Sequence, residues 1–286
     1  MNKDYLYIIA GASLWGLIGL FVKNLAALAF TSMQIVALRS ISSAFCLTLL
    51  LLCIRPTALK IRLKDVWMFV GTGILSLTFF NYCYFRCIES SSLAVAALLL
   101  YTAPIFVMLM SLVLFKESFT KAKAFAMLCA FLGCGLVTGA LTGKLSLSLS
   151  GLLYGLGSGF GYALYSIFGK YALERYDSWT ISVYTFYFCM LSSVPLSGFT
   201  SLPTLNITAL FSIGGLCLVS TILPYVLYTK GLNGVEAGHA SILATIEPFV
   251  AATVGVLVFA EPLSLSKLLG MFLIFLSIVA LNRKSQ

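Results

Sequence analysis

Apolar residues run in blocks of about 20 along the chain, broken by short polar stretches that carry most of the charge. A helix needs about that length to cross a bilayer core roughly 30 Å thick. The pattern predicts ten spans: Tyr5–Val22, Met33–Ile54, Val66–Phe85, Leu93–Phe115, Ala122–Leu141, Gly151–Leu173, Trp179–Phe199, Ala209–Thr229, Ala237–Phe259 and Leu263–Leu281. The fold class expected is an all-α integral membrane protein with ten transmembrane helices. Every connection is short, so no soluble domain is expected. The first run follows a lysine, as a signal peptide would. It is long, glycine-dotted and aromatic, with no clear cleavage site, and reads as a retained span.

Composition agrees: 60% of residues are apolar and 9% charged, against about 25% charged in a soluble domain. The net charge of +9 raises the question of nucleic acid. The basic residues sit at span ends instead, where they mark a cytoplasmic leaflet. With the N-terminus inside, that face receives Lys3, Arg55, Lys60, Arg62, Lys64, Lys116, Lys121, Lys123, Lys170, Arg175, Lys230, Arg283 and Lys284. The other face receives Lys23, Arg86, Lys144 and Lys267, and Arg39 lies inside a span. Thirteen against four predicts a multi-pass protein of the cell membrane with both termini cytoplasmic. The eight cysteines all fall within spans or, for Cys87, two residues past one, without a Cys-x-x-Cys. They read as small packing residues, and neither a disulfide nor a metal site is expected.

The chain also repeats itself. Pro104 and Pro248, Glu117 and Glu261, and Arg86 and Lys230 are each 144 residues apart. This predicts two copies, residues 1–143 and 144–286. Five spans per copy is an odd number, so the second copy enters from the opposite face. That is the inverted-repeat plan of secondary transporters.

Glu247 lies near the middle of the ninth span. A carboxylate there relays protons or holds a cation, or else it is a structural acid bonded to a neighbouring helix. Pro248, Pro104 and Pro224 each remove a helical hydrogen bond, freeing the carbonyls of Ala244, Leu100 and Ser220. Such breaks mark a binding site or merely a kink. His239, the one histidine, is a candidate proton shuttle or a satisfied interfacial residue. Arg39 could hold a substrate carboxylate or bond carbonyls of a neighbouring span. Tyr154, Ser158, Tyr162 and Tyr165 share one face of the sixth span. Asn81, Tyr82, Tyr101 and Trp15 add amide and aromatic groups. Gly151, Gly155 and Gly159 let that span approach its neighbours closely. The chain has no phosphate-binding Gly-x4-Gly-Lys-Ser/Thr loop, no His-Glu-x-x-His and no potassium-filter motif. No enzyme, ATPase or cofactor is expected.

A mid-span proline followed thirteen residues later by a glutamate resembles the EamA repeat of the drug/metabolite transporter superfamily. It stands as Pro104…Phe115-Lys116-Glu117-Ser118 and as Glu247-Pro248…Phe259-Ala260-Glu261-Pro262. Trp15-Gly16, Arg39 and Gly270 are similar too. The resemblance implies a ten-helix inverted repeat, with four spans of each half around a cavity and the fifth and tenth peripheral. It also implies movement of small polar metabolites, often export of amino acids or their derivatives. Two positions depart from the pattern. Lys116 stands where glycine often precedes the motif glutamate, and Ala103 matches Glu247.

The expectation is therefore a secondary transporter exporting amino acids or related compounds by alternating access. Its partners are a small-molecule substrate and the lipid bilayer, with protons as a candidate coupling ion and no nucleic acid. Glu247 is the group expected to bind a proton or an ammonium. Efflux of organic cations or drugs, an uncoupled facilitator, and a non-transporting scaffold or enzyme are the alternatives.

Overall fold

The computed structural model describes residues 3–141, 147–198 and 201–282. The repeat boundary at Gly143/Lys144, the span end at Phe199, and Arg283 and Lys284 lie outside the described residues. The described residues form helices and no strands.

Seven helical segments are long and apolar enough to cross a membrane. They are α1 (Lys3–Ala27), α2 (Ser32–Ile54), α3 (Leu63–Ser90), α4 (Leu93–Leu114), α7 (Ser178–Leu196), α8 (Ile207–Asn233) and α9 (Ala237–Phe259). Three further helices, α5 (Lys121–Val137), α6 (Leu149–Leu173) and α10 (Leu265–Asn282), fall where the fifth, sixth and tenth spans were expected. Side-chain caps set many of the starts. Thr31 and Gln34 form a reciprocal box before α2. Ser92, Thr120, Ser148, Asp177 and Asn206 cap α4 to α8 in turn. Each such oxygen satisfies one of the amides orphaned at a helix start. α9 has no side-chain cap of its own.

Three rods are interrupted. α1 breaks between Trp15 and Ile18. α4 breaks between Leu100 and Ala103, and α9 between Leu243 and Ile246. At the last two, a threonine hydroxyl folds back to donate to a carbonyl: Thr102 to Leu99 and Thr245 to Ile242, each 2.6 Å. Pro104 and Pro248 sit in the first turn after their breaks, where a proline lacks no needed donor. Pro224 breaks nothing. It follows a π-helical stretch, Leu218–Ile222, and the helix continues. A similar stretch in α3, Gly71–Thr78, has no proline at all. The carbonyl of Ala244 is not free as expected, because the Glu247 N–H donates to it at 3.1 Å.

Glycines set the closest approaches. A Cβ on Gly11 would lie 2.8 Å from the Pro224 carbonyl oxygen, and one on Gly231 2.5 Å from that of Asp4, so α1 and α8 meet backbone to backbone. Gly16 seats α1 against Glu247 and Val250 of α9. α6 is wedged in the same way. Gly161 faces Phe79 and Phe80 of α3, while Gly155 and Gly159 face Leu99 of α4. α5 and α10 close on each other through Gly133 and Gly270, whose added Cβ atoms would lie 2.8 and 2.7 Å from the other's carbonyl oxygen. Thr48 and Tyr187 join α2 to α7 by a 2.6 Å hydrogen bond.

α4 and α9 end alike. Lys116 and Ala260 take the left-handed conformation, with φ of 55° and 52°. The N–H of Glu117 then donates to Ser111 O (3.2 Å), and that of Glu261 to Gly255 O (3.0 Å). Glycine suits this turn because a Cβ there costs about 1–2 kcal/mol. Lys116→Gly is therefore expected to stabilise the fold by roughly 1 kcal/mol after its larger unfolded entropy is counted. A thermal melt in detergent should rise by about 2 °C. A fall in Tm would contradict this account of the turn.

Candidate functional site

The break in α9 places Glu247 in the first turn of the helix that resumes at Ile246. A helix start favours negative charge, so the break itself stabilises a carboxylate there. Glu247 is half-buried. Its Oε2 accepts a hydrogen bond from the Tyr162 hydroxyl of α6 at 3.2 Å. Trp15 packs edge-on to Tyr162, with centroids 6.2 Å apart. Trp15 also meets Tyr225 at 5.0 Å and Tyr228 at 5.2 Å, both from α8. Tyr165 stands edge-on to Tyr225 at 5.1 Å and shares a 2.7 Å hydrogen bond with Thr229. Ser166 and Tyr228 share another at 2.8 Å.

Arg39 enters from α2. It is 93% buried (7% exposed) and interacts with the Tyr225 hydroxyl, and its charge reaches Glu247. Its Nε has no hydrogen-bond partner among the described residues, nor has the Trp15 Nε1. A buried donor without a partner costs about 1–3 kcal/mol. Both are groups a bound polar solute could satisfy. Tyr84 of α3 and Tyr101 at the α4 break complete the surroundings within electrostatic reach of Glu247. The chamber thus takes side chains from α1, α2, α3, α4, α6, α8 and α9. It offers one acid, one base, several hydroxyls and aromatic faces. A cation can be held by the acid and by those faces, and a carboxylate by the guanidinium.

The structure brings together Glu247, Arg39, Trp15, Tyr101, Tyr162 and Tyr165. Asn81 is buried nearby on α3, with its amide donating to Leu77 O at 2.7 Å. Tyr82, its neighbour, points the other way. It is 38% exposed and packs against Tyr154, whose ring also lies under Arg86. His239 stands apart from the chamber. Its Nδ1 is 2.8 Å from Glu236, and its ring stacks on Tyr5 at 6.4 Å. Tyr84, Tyr225 and Tyr228 were not singled out by spacing.

A second cluster lies at the start of α9. The Glu117 carboxylate, from the end of α4, accepts from Ala237 N at 2.6 Å and Gly238 N at 3.0 Å. It supplies from another helix the cap that α9 lacks, and it is itself buried. Beside it the buried Lys123 ammonium lies 2.5 Å from Glu236. Burial works to raise the Glu236 carboxyl, but Lys123 and His239 outweigh it and hold the group below its usual range. Lys170 donates to the carbonyls of Leu232 and Val235 at 2.9 and 2.6 Å. The motif glutamate of the other copy is placed differently. Glu261 meets Lys267 at 3.0 Å and Lys23 at 3.8 Å, and it is exposed.

Polar side chains gathered where broken helices meet at membrane depth are the arrangement from which transporter binding sites are built. The EamA-like transporter family model matches residues 2–139 and 149–283, and the chain belongs to that family. An uncharacterized transporter of Archaeoglobus fulgidus is 31% identical over 267 residues, covering 92% of this chain and 90% of the relative. An uncharacterized transporter of Bacillus subtilis, YwfM, is 25% identical over 288 residues, covering 98% and 94%. A solved crystal structure superposes with a TM-score of 0.85 at 16% identity, covering 98% of this chain and 96% of that one.

Proposed function

We propose that the chain is a secondary transporter that exports small polar metabolites, amino acids or related compounds, across the cell membrane by alternating access. The observation that carries this is the half-buried Glu247, held by Tyr162 and within reach of Arg39's charge, in an aromatic chamber. An ammonium on Glu247 and a carboxylate on Arg39 would satisfy both ends of one small solute. Protons remain the candidate coupling ion at Glu247.

The packing supports two inverted halves. α1 lies on α8 and α9 as α6 lies on α3 and α4, a shift of five helices in each case. α2 meets α7 and α5 meets α10, each pair being its own counterpart. With thirteen basic residues assigned to one face, both termini are cytoplasmic on this reading.

The two glutamates then act as gates. Glu117 ties the end of α4 to the start of α9, 144 residues from the start of α4. By the same symmetry Glu261 would tie the end of α9 to the amides of Leu93 and Ala94. It is paired with lysines instead. On this reading the cytoplasmic end is closed and the outer end open. Exchanging the two clasps is the alternation.

One observation favours a second reading, efflux of organic cations: the four rings Trp15, Tyr162, Tyr225 and Tyr228 suit a lipophilic cation. Growth inhibition by a panel of cationic dyes and of toxic amino-acid analogues, with and without expression, separates the two. Protection against the analogues is expected. Protection against dyes alone would sink the metabolite reading.

A further inference from the structure

Two cavities outside the chamber adjoin one another at the helix ends. One, of about 510 Å³, is lined by Arg55, Arg175 and Lys230 together with Asp177 and Trp179. The other, of about 490 Å³, is lined by Lys60, Arg62, Lys64 and again Arg175, with Asp65. Tyr176 borders both. The two acids are already engaged. Asp65 is fully buried and holds Arg175 and the Tyr176 hydroxyl. Asp177 holds Arg55 and accepts from the Thr180 amide at 2.9 Å. Among the described residues Lys60, Arg62, Lys64 and Lys230 form no ion pair with a carboxylate. Lys230 instead lies over the Tyr7 ring at 4.4 Å. The lining carries six basic groups against two spent acids.

We infer that these joined cavities bind the phosphate of an anionic membrane lipid. Arginine and lysine donors suit phosphate oxygens, and the arginines keep donors beyond those spent on the aspartates. The surroundings argue for a lipid rather than free phosphate. Leu63 is 90% exposed, and Trp67 one turn further on and Ile54 at the end of α2 are also exposed. Trp67 meets Phe168 edge-on and Tyr171 at a tilt, and Trp179 lines the first cavity. Apolar and indole surfaces at a helix end belong to the headgroup level of a bilayer. The walls come from the α2–α3 connection on one side, and from the α6–α7 connection and the end of α8 on the other. A phosphate there bridges segments otherwise joined by the Arg55–Asp177 and Asp65–Arg175 pairs and by the Tyr176 hydroxyl. A bound lipid would thus hold this seam together. The inference does not depend on the transport reading, since it concerns binding alone.

The test is lipid retention by native mass spectrometry, with a melt in parallel. Purified protein is offered phosphatidylglycerol, phosphatidylcholine or inorganic phosphate. The wild type should retain phosphatidylglycerol at least tenfold over phosphatidylcholine, since each basic residue near an anionic surface is worth about fivefold. The triple variant Lys60→Gln/Arg62→Gln/Lys64→Gln should lose that preference. Lys116→Gln/Lys121→Gln, on the same face but away from both cavities, should keep it. If the triple variant does not fold, Lys230→Gln alone should lower the preference several-fold. Equal loss in the control pair would reduce the effect to general surface charge and overturn the site. Equal stabilisation by millimolar inorganic phosphate would overturn the lipid assignment.

Discussion

Counterflow by Glu247→Gln is expected to fall roughly tenfold to 150-fold, with no loss of fold. Gln keeps the shape and still offers an oxygen to the Tyr162 hydroxyl now 3.2 Å away. What it loses is the charge. A charge-assisted hydrogen bond to a substrate ammonium is worth about 1.5–3 kcal/mol, which is the stated range in rate or affinity. If a proton is the coupled species, Gln mimics the neutral acid, and transport that persists should no longer respond to a pH gradient. Tyr162→Phe serves as the graded comparison. It removes one donor and leaves the ring against Trp15, so a loss of only several-fold is expected. Wild-type transport by Glu247→Gln would remove the carboxylate from the site.

Glu117→Gln is expected to unfasten the closed end. Its carboxylate takes two backbone amides at 2.6 and 3.0 Å, and an amide side chain can accept well from only one. Losing a charged acceptor at a helix start weakens that clasp by about 1.5–3 kcal/mol. A two-state equilibrium then moves by a factor of roughly 10 to 150. Spin labels at Ser118 and Asn233 read the end in question, in a background where the exposed Cys53 is replaced by serine. The distance between them should lengthen and broaden in Glu117→Gln. Glu261→Gln should leave that distance unchanged. An unchanged distribution in both would mean that the Glu117 contact is a static cap and no gate.

Much of the fold was legible in the chain because a bilayer makes hydropathy speak directly. The breaks in α4 and α9 were legible through Pro104 and Pro248. The break at Gly16 and the π-helical stretch Gly71–Thr78 were not, since no proline marks them. Both coincide with close packing across the fold, Gly16 on Val250 and Gly73 on Phe188 and Thr185, which no local pattern announces. Glu247, Arg39 and Tyr162 stood out in the sequence because polar groups at membrane depth are costly. Tyr82 misled for a simple reason. It follows Asn81, and consecutive helix residues cannot share a face. Tyr225 and Tyr228 lie three apart after Pro224, a signal that was present but ordinary. The pairing of Glu117 with the start of α9 joins residues 120 apart, and no local pattern encodes it. The sequence marks His239 only as the one histidine, and its partner is Glu236, one turn away, 2.8 Å from its Nδ1.

Counterflow in proteoliposomes against a pooled metabolite library, read by mass spectrometry, tests the central claim most directly. At least one small polar solute bearing an amine should exchange through the wild type. It should not exchange through empty liposomes, and it should do so only weakly through a folded Glu247→Gln. Failure of every solute to move under any imposed gradient, with the protein folded in the bilayer, would contradict the account.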